Sequence, residues 1–384
     1  MSRSDSKDAQ PGGGNPARIR VLVVDDSALM RKLLADLLAT SPEVEVVGMA
    51  RDGEDALAQT ARLRPDVITL DVEMPGRSGI EILPQLLATH DAAVVMVSSL
   101  TKEGADVTFA ALERGAVDFL PKPDRNQFAQ MREAADLLVS KVLSAAQSHR
   151  PKRKRSESSA SGRRAAPAGS SSSTLTPVPA APSAPELSCP TPSTSIRCIV
   201  VGISTGGPQA LGAVLPLLTP PLPPILIVQH MPAPFTGVFA ERLNRSCAIP
   251  VKEAEEGDRL APDRMFVAPG GRQMSIAGRA ATARITITDD PPVSGHRPSV
   301  DVLFASAARV FQAATLGLIL TGMGRDGVEG CKLIRSAGGL TFGQDEATSA
   351  VYGMNKVAFL EHALDGQFAL NQLPALVKKL CAER

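Results

Sequence analysis

The sequence predicts an α/β protein in which two parallel-sheet units are joined by a disordered linker. Short apolar runs alternate with amphipathic stretches over residues 18–145 and again over residues 196–384, whereas residues 146–195 are poor in large apolar side chains. This alternation is typical of parallel sheets that carry helices on their faces. We therefore expect a disordered N-terminus over residues 1–17, then a folded domain, the linker and a second folded domain with these bounds.

The first block carries five apolar runs, each of a length that suits a strand. Amphipathic stretches such as SALMRKLLADLLA lie between them, with apolar residues spaced by three and four. Five strands alternating with five helices predict a doubly wound sheet with the first, third, fourth and fifth strands at its centre. The runs are IRVLVV (19–24), VEVVGM (44–49), DVITL (66–70), AVVMV (93–97) and VDFL (117–120).

The segment between the two blocks has the composition of a linker. Residues 146–195 include 13 serines and 8 prolines, and only Leu175, Val178 and Leu187 from the Leu, Ile, Val, Met and Phe types. Such a segment buries too little apolar area to offset the entropy of ordering the chain, so we expect disorder. We interpret its basic run, PKRKR, as a solvated stretch in preference to a nucleic-acid or anionic-surface patch.

The second block shows a similar alternation without an internal repeat. Its pattern favours a second α/β unit with predominantly parallel strands. The predicted strands are IRCIVVGI (196–203), PILIVQ (224–229), RMFVAP (264–269), ARITIT (283–288) and TLGLIL (315–320), and the predicted helices contain PQALGAVLPLL, PFTGVFAERL, SVDVLFASAARVF and GVEGCKLIRSA.

Charge and composition exclude several classes of protein. The net charge is +1, and the second block carries a net charge of only +2, which is too weakly basic for nucleic-acid binding. No two of the five cysteines have CxxC spacing, which disfavours a zinc ribbon or a disulfide framework. The N-terminus lacks an apolar secretory core, and no apolar run approaches the roughly 18 residues of a membrane span. We therefore expect a cytoplasmic protein with no nucleic-acid partner and no membrane insertion.

Acidic, hydroxyl and ammonium side chains follow the strands of the first block. Asp25 and Asp26 end the first run, Asp71 and Ser98 end the third and fourth, and Lys122 follows the fifth. These side chains should converge because the carboxyl ends of parallel strands meet at one edge of the sheet. Clustered carboxylates favour Mg²⁺, and a lysine and a hydroxyl suit a phosphate, so the set predicts a carboxylate that accepts a phosphoryl group. Helix capping explains any single aspartate, but not the set in this order.

A second group of strand-end residues indicates nucleophilic catalysis. Ser204 follows the run IRCIVVGI in a Gly-rich turn, and Pro208 suits the first turn of a helix. Backbone N–H groups at such a helix start can bind an oxyanion. His230 directly follows the run PILIVQ, so it lies at a strand end on the same face as Ser204. A histidine in this position is often structural, but among the five histidines His230 is the best-placed base.

A carboxylate that orients the imidazole should complete this group. We select Asp326, which follows the run TLGLIL in a Gly-rich loop, and Asp345 is the alternative. Three other aspartates have local explanations as turn residues or as a helix-capping residue: Asp289, Asp290 and Asp301.

The string GISTG around Ser204 matches the G-x-S-x-G pattern of the α/β-hydrolases. That fold requires the chain order serine, acid, histidine. Only His362 could follow the acid here, and it lies in a helical pattern away from a strand end. The order Ser204, His230, Asp326 therefore predicts a different fold, not a standard α/β-hydrolase.

The first block resembles the receiver domain of two-component response regulators. The match covers about residues 18–140, through the motifs VVDDS (23–27), LDVEMPGRSG (70–79), VSS (97–99) and LPKP (120–123). The resemblance implies a phosphorylation site but says nothing about the output of the protein.

The receiver resemblance also implies a role for each site residue. Asp71 is the implied phosphoacceptor, and Mg²⁺ is implied to bind Asp71, Asp25, Asp26 and the backbone carbonyl of Glu73. Ser98 is implied to be the switch hydroxyl, Lys122 the lysine that contacts the phosphate, and Phe119 the rotating aromatic residue.

From about residue 196 to residue 383 the chain resembles the catalytic domain of the CheB family of chemotaxis protein-glutamate methylesterases. Receiver, linker and this block together reproduce the family architecture. The matching motifs are GISTGGP (202–208), VQHMP (228–232), VAPGGRQM (267–274), HRPSVDVLF (296–304), LTGMGRDG (320–327) and QDEATSAVYGM (344–354).

This second resemblance implies a catalytic triad of Ser204, His230 and Asp326, an oxyanion contact from the Met323 amide, and support of the nucleophile by Thr205. The implied reaction is hydrolysis of glutamate γ-methyl esters on chemoreceptor cytoplasmic domains, with glutamine deamidation by the same acyl chemistry. The implied partners are methylated receptors as substrate and the chemotaxis histidine kinase as phosphodonor. Mg²⁺ in the receiver is the implied cofactor, and ester hydrolysis needs none. We expect the unphosphorylated receiver to restrain the esterase.

Two departures and two rival functions accompany the resemblance. Asn355 stands where the family pattern suggests proline, and the linker is long and basic. A response regulator with a DNA-binding output would need a helix-turn-helix and a basic recognition face. An inactive adaptor with the same fold would have no need of an intact serine, histidine and aspartate set.

Overall fold

The computed structural model describes residues 18–122, 131–149 and 192–382. The first two ranges form an N-terminal unit and the third forms a C-terminal unit, each built on one parallel sheet. This confirms the predicted α/β class. The predicted disordered N-terminus, residues 1–17, and most of the predicted linker, residues 150–191, lie outside the described residues.

In the N-terminal unit five strands alternate with helices, as the apolar runs predict. The strands are β1 (Ile19–Val24), β2 (Val44–Ala50), β3 (Val67–Asp71), β4 (Ala93–Ser98) and β5 (Asp118–Pro121). The helices are α1 (Ala28–Leu38), α2 (Gly53–Leu63), α3 (Gly79–Thr89), α4 (Lys102–Glu113) and α5 (Met131–His149). Side-chain caps define several helix starts; Thr101, for example, accepts a hydrogen bond from the Gly104 N–H at 2.9 Å.

The strand order of the N-terminal sheet is β2-β1-β3-β4-β5, and every pairing is parallel. All residues of β3 and β4 are buried, which explains why their runs are largely apolar before the terminal Asp71 and Ser98, with Thr69 as the polar residue within β3. The expectation that the fifth strand is central is wrong, because β5 pairs with β4 alone. A strand of four residues suits an edge, and the C-terminal unit packs against it.

In the C-terminal unit seven parallel strands form the main sheet and two antiparallel strands form a separate hairpin. The main sheet has the order β14-β13-β12-β6-β7-β9-β8, and the hairpin pairs β10 with β11. The strands are β6 (Cys198–Ile203), β7 (Ile225–Gln229), β8 (Val251–Glu253), β9 (Met265–Val267), β10 (Gln273–Ala277), β11 (Arg284–Thr288), β12 (Thr315–Ile319), β13 (Leu340–Gln344) and β14 (Gly366–Phe368).

The helices of this unit cover both faces of the sheet, and two of them approach each other closely. They are α6 (Gly207–Val214), α7 (Ala233–Ser246), α8 (Val300–Phe311), α9 (Val328–Ser336), α10 (Met354–Leu360) and α11 (Leu373–Cys381). At Gly330 of α9 a side chain would collide with Phe304 of α8, so glycine sets the distance between these two helices.

Sequence patterns predicted five strands of this unit, but only four lie in the main sheet. The run ARITIT forms β11 of the hairpin, because its partner β10 pairs with it locally. Four strands were missed: β8, β13 and β14 of the main sheet and β10 of the hairpin. Large apolar residues are few in them; β8 carries only Val251, β13 only Leu340 and Phe342, and β14 only Phe368. Short strands with few apolar residues leave little periodic signal.

The two units are packed together through aromatic side chains. Phe109 of α4 lies against Phe235 and Phe239 of α7, with ring centroids 6.3 and 5.5 Å apart. Phe119 of β5 stacks on Phe235 at 4.3 Å. These rings are buried and belong to one continuous apolar core. None of the helices in the described ranges has both the length and the apolar character that a bilayer crossing needs.

Candidate functional site

Ser204 lies directly after β6, where a turn of glycines leads into α6. Gly206 adopts φ = 77°, a left-handed conformation that glycine tolerates best. Gly207 has no room for a side chain, because the Gln229 amide fills that space. The same Gln229 amide nitrogen donates a hydrogen bond to the Ser204 carbonyl at 3.0 Å. Ser204 is therefore held at the end of its strand, and it is 8% exposed.

His230 lies at the end of the neighbouring strand, β7. Its backbone N–H donates to the Ile203 carbonyl at 3.2 Å, so the two strand ends are held side by side. The ring atom Nε2 lies 2.8 Å from Asp326 Oδ2. The other ring nitrogen, Nδ1, is buried and has no hydrogen-bond partner among the described residues. A proton on Nε2 therefore leaves the Nδ1 lone pair free to act as a base.

Asp326 is a buried carboxylate in the loop between β12 and α9. Besides His230, it accepts hydrogen bonds from the Ser299 hydroxyl and the Val300 N–H, both at 2.7 Å. Burial alone would raise the pKa of Asp326, but its hydrogen bond and charge interaction with His230, supported by Val300 and Ser299, lower it. Asp326 is therefore ionised at neutral pH. The alternative acid, Asp345, instead accepts hydrogen bonds from the N–H and hydroxyl of Thr348.

The loop that carries Asp326 also presses against the Ser204 turn. A side chain at Gly322 would come within 2.6 Å of the Ser204 Cβ, so only glycine permits this approach. Met323 follows and lines the same cavity as Ser204 and Thr205. The Thr205 carbonyl accepts a hydrogen bond from the Thr321 hydroxyl at 3.0 Å, which ties the two loops together. The oxyanion role of Met323 and the supporting role of Thr205 stay predictions.

His296 is a site residue that strand-end reasoning missed. Its ring stacks on the His230 ring, with centroids 3.8 Å apart and planes inclined by 5°. Burial, together with the charge of His230, lowers the pKa of His296 to about 3, so its ring stays neutral. It follows no strand, and the available signal was its place in the motif HRPSVDVLF. The stacked ring shields one face of the imidazole of His230 from water.

A cavity of about 610 Å³ joins these side chains to the N-terminal unit. Phe119 and Lys141 contribute to its wall from β5 and α5. The Ser144 hydroxyl of α5 lies 3.0 Å from the sulfur of Met323. The N-terminal unit therefore covers the opening above Ser204 and touches the loop that borders it.

The strand ends of the N-terminal unit bring the predicted carboxylates together. Carboxylate oxygens of Asp25, Asp26 and Asp71 lie within 4.8 Å of one another. Lys122 Nζ is 2.7 Å from Asp71 Oδ2 and 3.3 Å from Asp25 Oδ2. Burial raises the pKa of Asp71 to about 6, and the charge of Asp25 acts in the same direction, against the hydrogen bond from Lys122.

These residues fit a hard divalent cation. Among the described residues, the buried Asp25 Oδ2 has its 3.3 Å ion pair with Lys122 Nζ as a polar contact, which leaves a lone pair that could bind a cation. The Glu73 N–H donates to Asp71 Oδ1 at 3.2 Å, which fixes the backbone beside the cluster. An all-oxygen donor set that includes two or three carboxylates suits Mg²⁺. The predicted ligand role of the Glu73 carbonyl stays a prediction.

The remaining residues of the predicted phosphorylation site occupy different environments. The Ser98 hydroxyl is buried at the end of β4 and donates to the Gly104 carbonyl at 3.2 Å. Phe119 is not near solvent; it is 3% exposed and packs against Phe235 of the C-terminal unit. A movement of Phe119 would therefore disturb the contact between the units.

Both units of the chain are similar to known proteins. Residues 199–377 match the family model of the CheB methylesterase, and residues 21–133 match that of the response regulator receiver domain. A protein-glutamate methylesterase/protein-glutamine glutaminase of Rhodopseudomonas palustris is 44% identical over 358 residues, covering 93% of this chain and 94% of that protein. One from Pyrococcus horikoshii is 40% identical, covering 94% and 93%. The crystal structure of the Thermotoga maritima CheB methylesterase catalytic domain is 32% identical and covers 49% of this chain and all of that one, with a TM-score of 0.47.

Proposed function

The chain belongs to the CheB methylesterase family and carries a response regulator receiver domain, and on that basis we propose that it removes methyl esters from chemoreceptor glutamates under phosphorylation control. The proposed catalytic triad is Ser204, His230 and Asp326. The observation that carries the proposal is the 2.8 Å hydrogen bond between His230 and Asp326 at the wall of the cavity that holds Ser204. The proposed domains span residues 18–145 and 196–384, joined by residues 146–195.

In the proposed reaction His230 Nδ1 takes the proton of the Ser204 hydroxyl as its oxygen attacks the ester carbonyl carbon. The tetrahedral intermediate collapses when methoxide leaves and receives that proton, which forms methanol and an acyl-enzyme. Water then attacks the acyl carbon, His230 again transfers the proton, and the products are free Ser204 and a glutamate carboxylate. With a glutamine side chain the leaving group is ammonia, which accounts for the second activity in the names of the relatives.

Asp326 and the surrounding loops would supply the electrostatics of this reaction. An ionised, buried Asp326 stabilises the imidazolium that forms on His230 and holds its Nε2 proton in place. The Met323 amide is the proposed donor to the oxyanion, with Thr205 supporting the nucleophile from the Ser204 turn. The neutral ring of His296 adds no positive charge beside the imidazolium. No cofactor takes part in this hydrolysis.

Asp71 is the proposed phosphoacceptor, with the chemotaxis histidine kinase as phosphodonor. Asp25, Asp26, Asp71 and the Glu73 carbonyl would hold Mg²⁺, whose charge neutralises the phosphoryl oxygens during transfer. Lys122 and Ser98 would bind the remaining oxygens of the phosphoryl group.

The proposed control is autoinhibition by the N-terminal unit. Its residues Phe119 and Lys141 line the cavity above Ser204, so a bulky receptor helix cannot reach the nucleophile while the units stay packed. Phosphorylation of Asp71 would reorganise Ser98 and the start of α4, which carries Phe109 against α7. The resulting shift toward separated units would make the catalytic site accessible to the cytoplasmic part of the receptor.

Methanol release from methylated receptor, with and without a small phosphodonor, tests the proposal. We expect slow release from the unphosphorylated protein, faster release with the phosphodonor, and none from Ser204→Ala. Ser246→Ala, a serine of α7 outside the cavity, is the matched control and should behave as wild type. Methanol release by Ser204→Ala at the wild-type rate would refute the proposed nucleophile.

A further inference from the structure

Asp326 and Asp301 cap each other's helices: Asp326 caps the start of α8, which contains Asp301, and Asp301 caps the start of α9, which follows Asp326. Asp301 is the second residue of α8, and Asp326 precedes α9 by two residues. The Asp326 carboxylate accepts hydrogen bonds from the Val300 and Asp301 N–H groups at the start of α8, at 2.7 and 3.1 Å. In return, Asp301 Oδ1 accepts a hydrogen bond from the Gly330 N–H in the first turn of α9, at 2.8 Å. Each carboxylate thus satisfies backbone donors that a helix start leaves open.

Close packing makes the exchange of caps rigid. A side chain at Gly327 would lie 2.6 Å from Val300, and one at Gly330 would collide with Phe304. The two helix starts therefore cannot separate without loss of a cap, and they have little room to come closer. Ser294 adds a hydroxyl that donates to the second oxygen of Asp301 at 3.3 Å.

The two carboxylates lie close enough to influence each other's charge. Burial raises the pKa of Asp301, and the negative charge of Asp326 acts in the same direction against the N–H of Gly330. Two acidic groups in contact repel each other when both are ionised, and a hydrogen bond between the two carboxyl groups, which needs a proton on Asp301, also raises the Asp301 pKa. The backbone donors of the two helices hold them in place.

We propose that Asp301 is a positioning residue, which orients the Asp326 carboxylate toward His230 through this exchange of helix caps. The inference rests on the proposed function, because it assigns to Asp301 an effect on the triad. Loss of the Asp301 cap frees the start of α9 and the loop that carries Asp326. A small displacement of a catalytic group costs up to about 100-fold in rate, so the effect should appear in kcat.

The test is a mutant cycle in the full-length protein, with methanol release from methylated receptor measured in the presence of phosphodonor. Asp301→Ala should lower kcat by about 10–100-fold and leave KM within about twofold. Asp301→Asn retains an oxygen that accepts the Gly330 N–H, so its kcat should stay within about threefold of wild type. In an Asp326→Asn background, adding Asp301→Ala should lower kcat further by less than about twofold, because the side chain through which Asp301 acts is already altered.

Asp365→Ala is the matched control, since Asp365 also holds backbone in the C-terminal unit by accepting the Thr341 N–H at 2.8 Å. Its effect on kcat should be small and equal in both backgrounds. The inference is overturned if Asp301→Ala keeps wild-type kcat, if it costs the same factor in both backgrounds, or if Asp301→Asn is as slow as Asp301→Ala. If Asp301→Ala does not fold, Asp301→Ser replaces it in the same mutant cycle, because serine keeps a hydrogen-bond acceptor on a shorter side chain. Wild-type activity of Ser204→Ala would instead refute the proposed function itself.

Discussion

Arg242 is a charged side chain that connects the two units. It lies on α7 and pairs with Glu113 of α4, and its Nη1 is 4.0 Å from Asp106 Oδ1. Its guanidinium also lies 5.7 Å from the centre of the Phe109 ring. Arg242→Glu would replace these attractions with repulsion from two acidic residues and leave the triad unchanged.

The size of the effect follows from the exposure of the pair. Arg242 is 24% exposed and Glu113 is 68% exposed, so each ion pair is worth at most about 1 kcal/mol. Loss of two weak attractions and gain of repulsion should disfavour packing of the units by about 1–2 kcal/mol. That corresponds to a rise of about 5–30-fold in the population of separated units, and hence in basal activity. The basal activity of Arg242→Glu cannot rise above that of the isolated fragment of residues 196–384, which lacks the N-terminal unit.

Initial rates of methanol release without phosphodonor measure this effect. Arg242→Glu should be faster than wild type, and a second change, Glu113→Arg, should restore an attractive pair and lower the rate again. Arg242→Glu within the isolated fragment controls for a direct effect on catalysis and should change nothing. High salt should reduce the difference between the variants, since it screens exposed charges. If the single variant kept the wild-type basal rate while the fragment were much faster, the ion pairs would not hold the units together. If the fragment were no faster than the full-length protein, autoinhibition itself would be wrong.

Three further predictions concern the two sites and the response to pH. Asp326→Asn should lower kcat but retain more activity than Ser204→Ala, and Asp345→Asn should be nearly as active as wild type. Methanol release measures the activity of all three variants. If Asp345→Asn were slower than Asp326→Asn, Asp345 would be the acid. Asp71→Asn should keep the basal rate and lose stimulation by a small phosphodonor, and stimulation of this variant would place the phosphoacceptor elsewhere. His296 has a pKa lowered from 6.5 to about 3 on folding, so the unfolded chain binds the proton more tightly and stability is lost as pH falls through this window. His296→Phe should therefore reduce the loss of unfolding free energy between pH 7 and pH 5 by about 2 kcal/mol, as measured by denaturant titration at both pH values, and an unchanged loss would contradict the neutral state of His296.

The sequence determined the fold class because strands buried on both faces of a parallel sheet must be continuously apolar. The run of β4 meets this condition, the run of β3 departs from it only at Thr69, and both strands are fully buried. The same rule explains the strand-end placement of the candidate residues, since polar side chains can first appear where a buried strand leaves the core. Asp25, Asp71, Ser204 and His230 were all found in this way.

Only the tertiary structure decided which residues from different elements meet. His296, the Asp301 cap and the contact of Ser144 with Met323 leave no periodic pattern, because each joins segments that are far apart in the chain. The same holds for Phe119, whose stacking partner across the interface no sequence pattern indicates. Burial is a property that one residue type can indicate, whereas a contact depends on two surfaces that only the folded chain brings together.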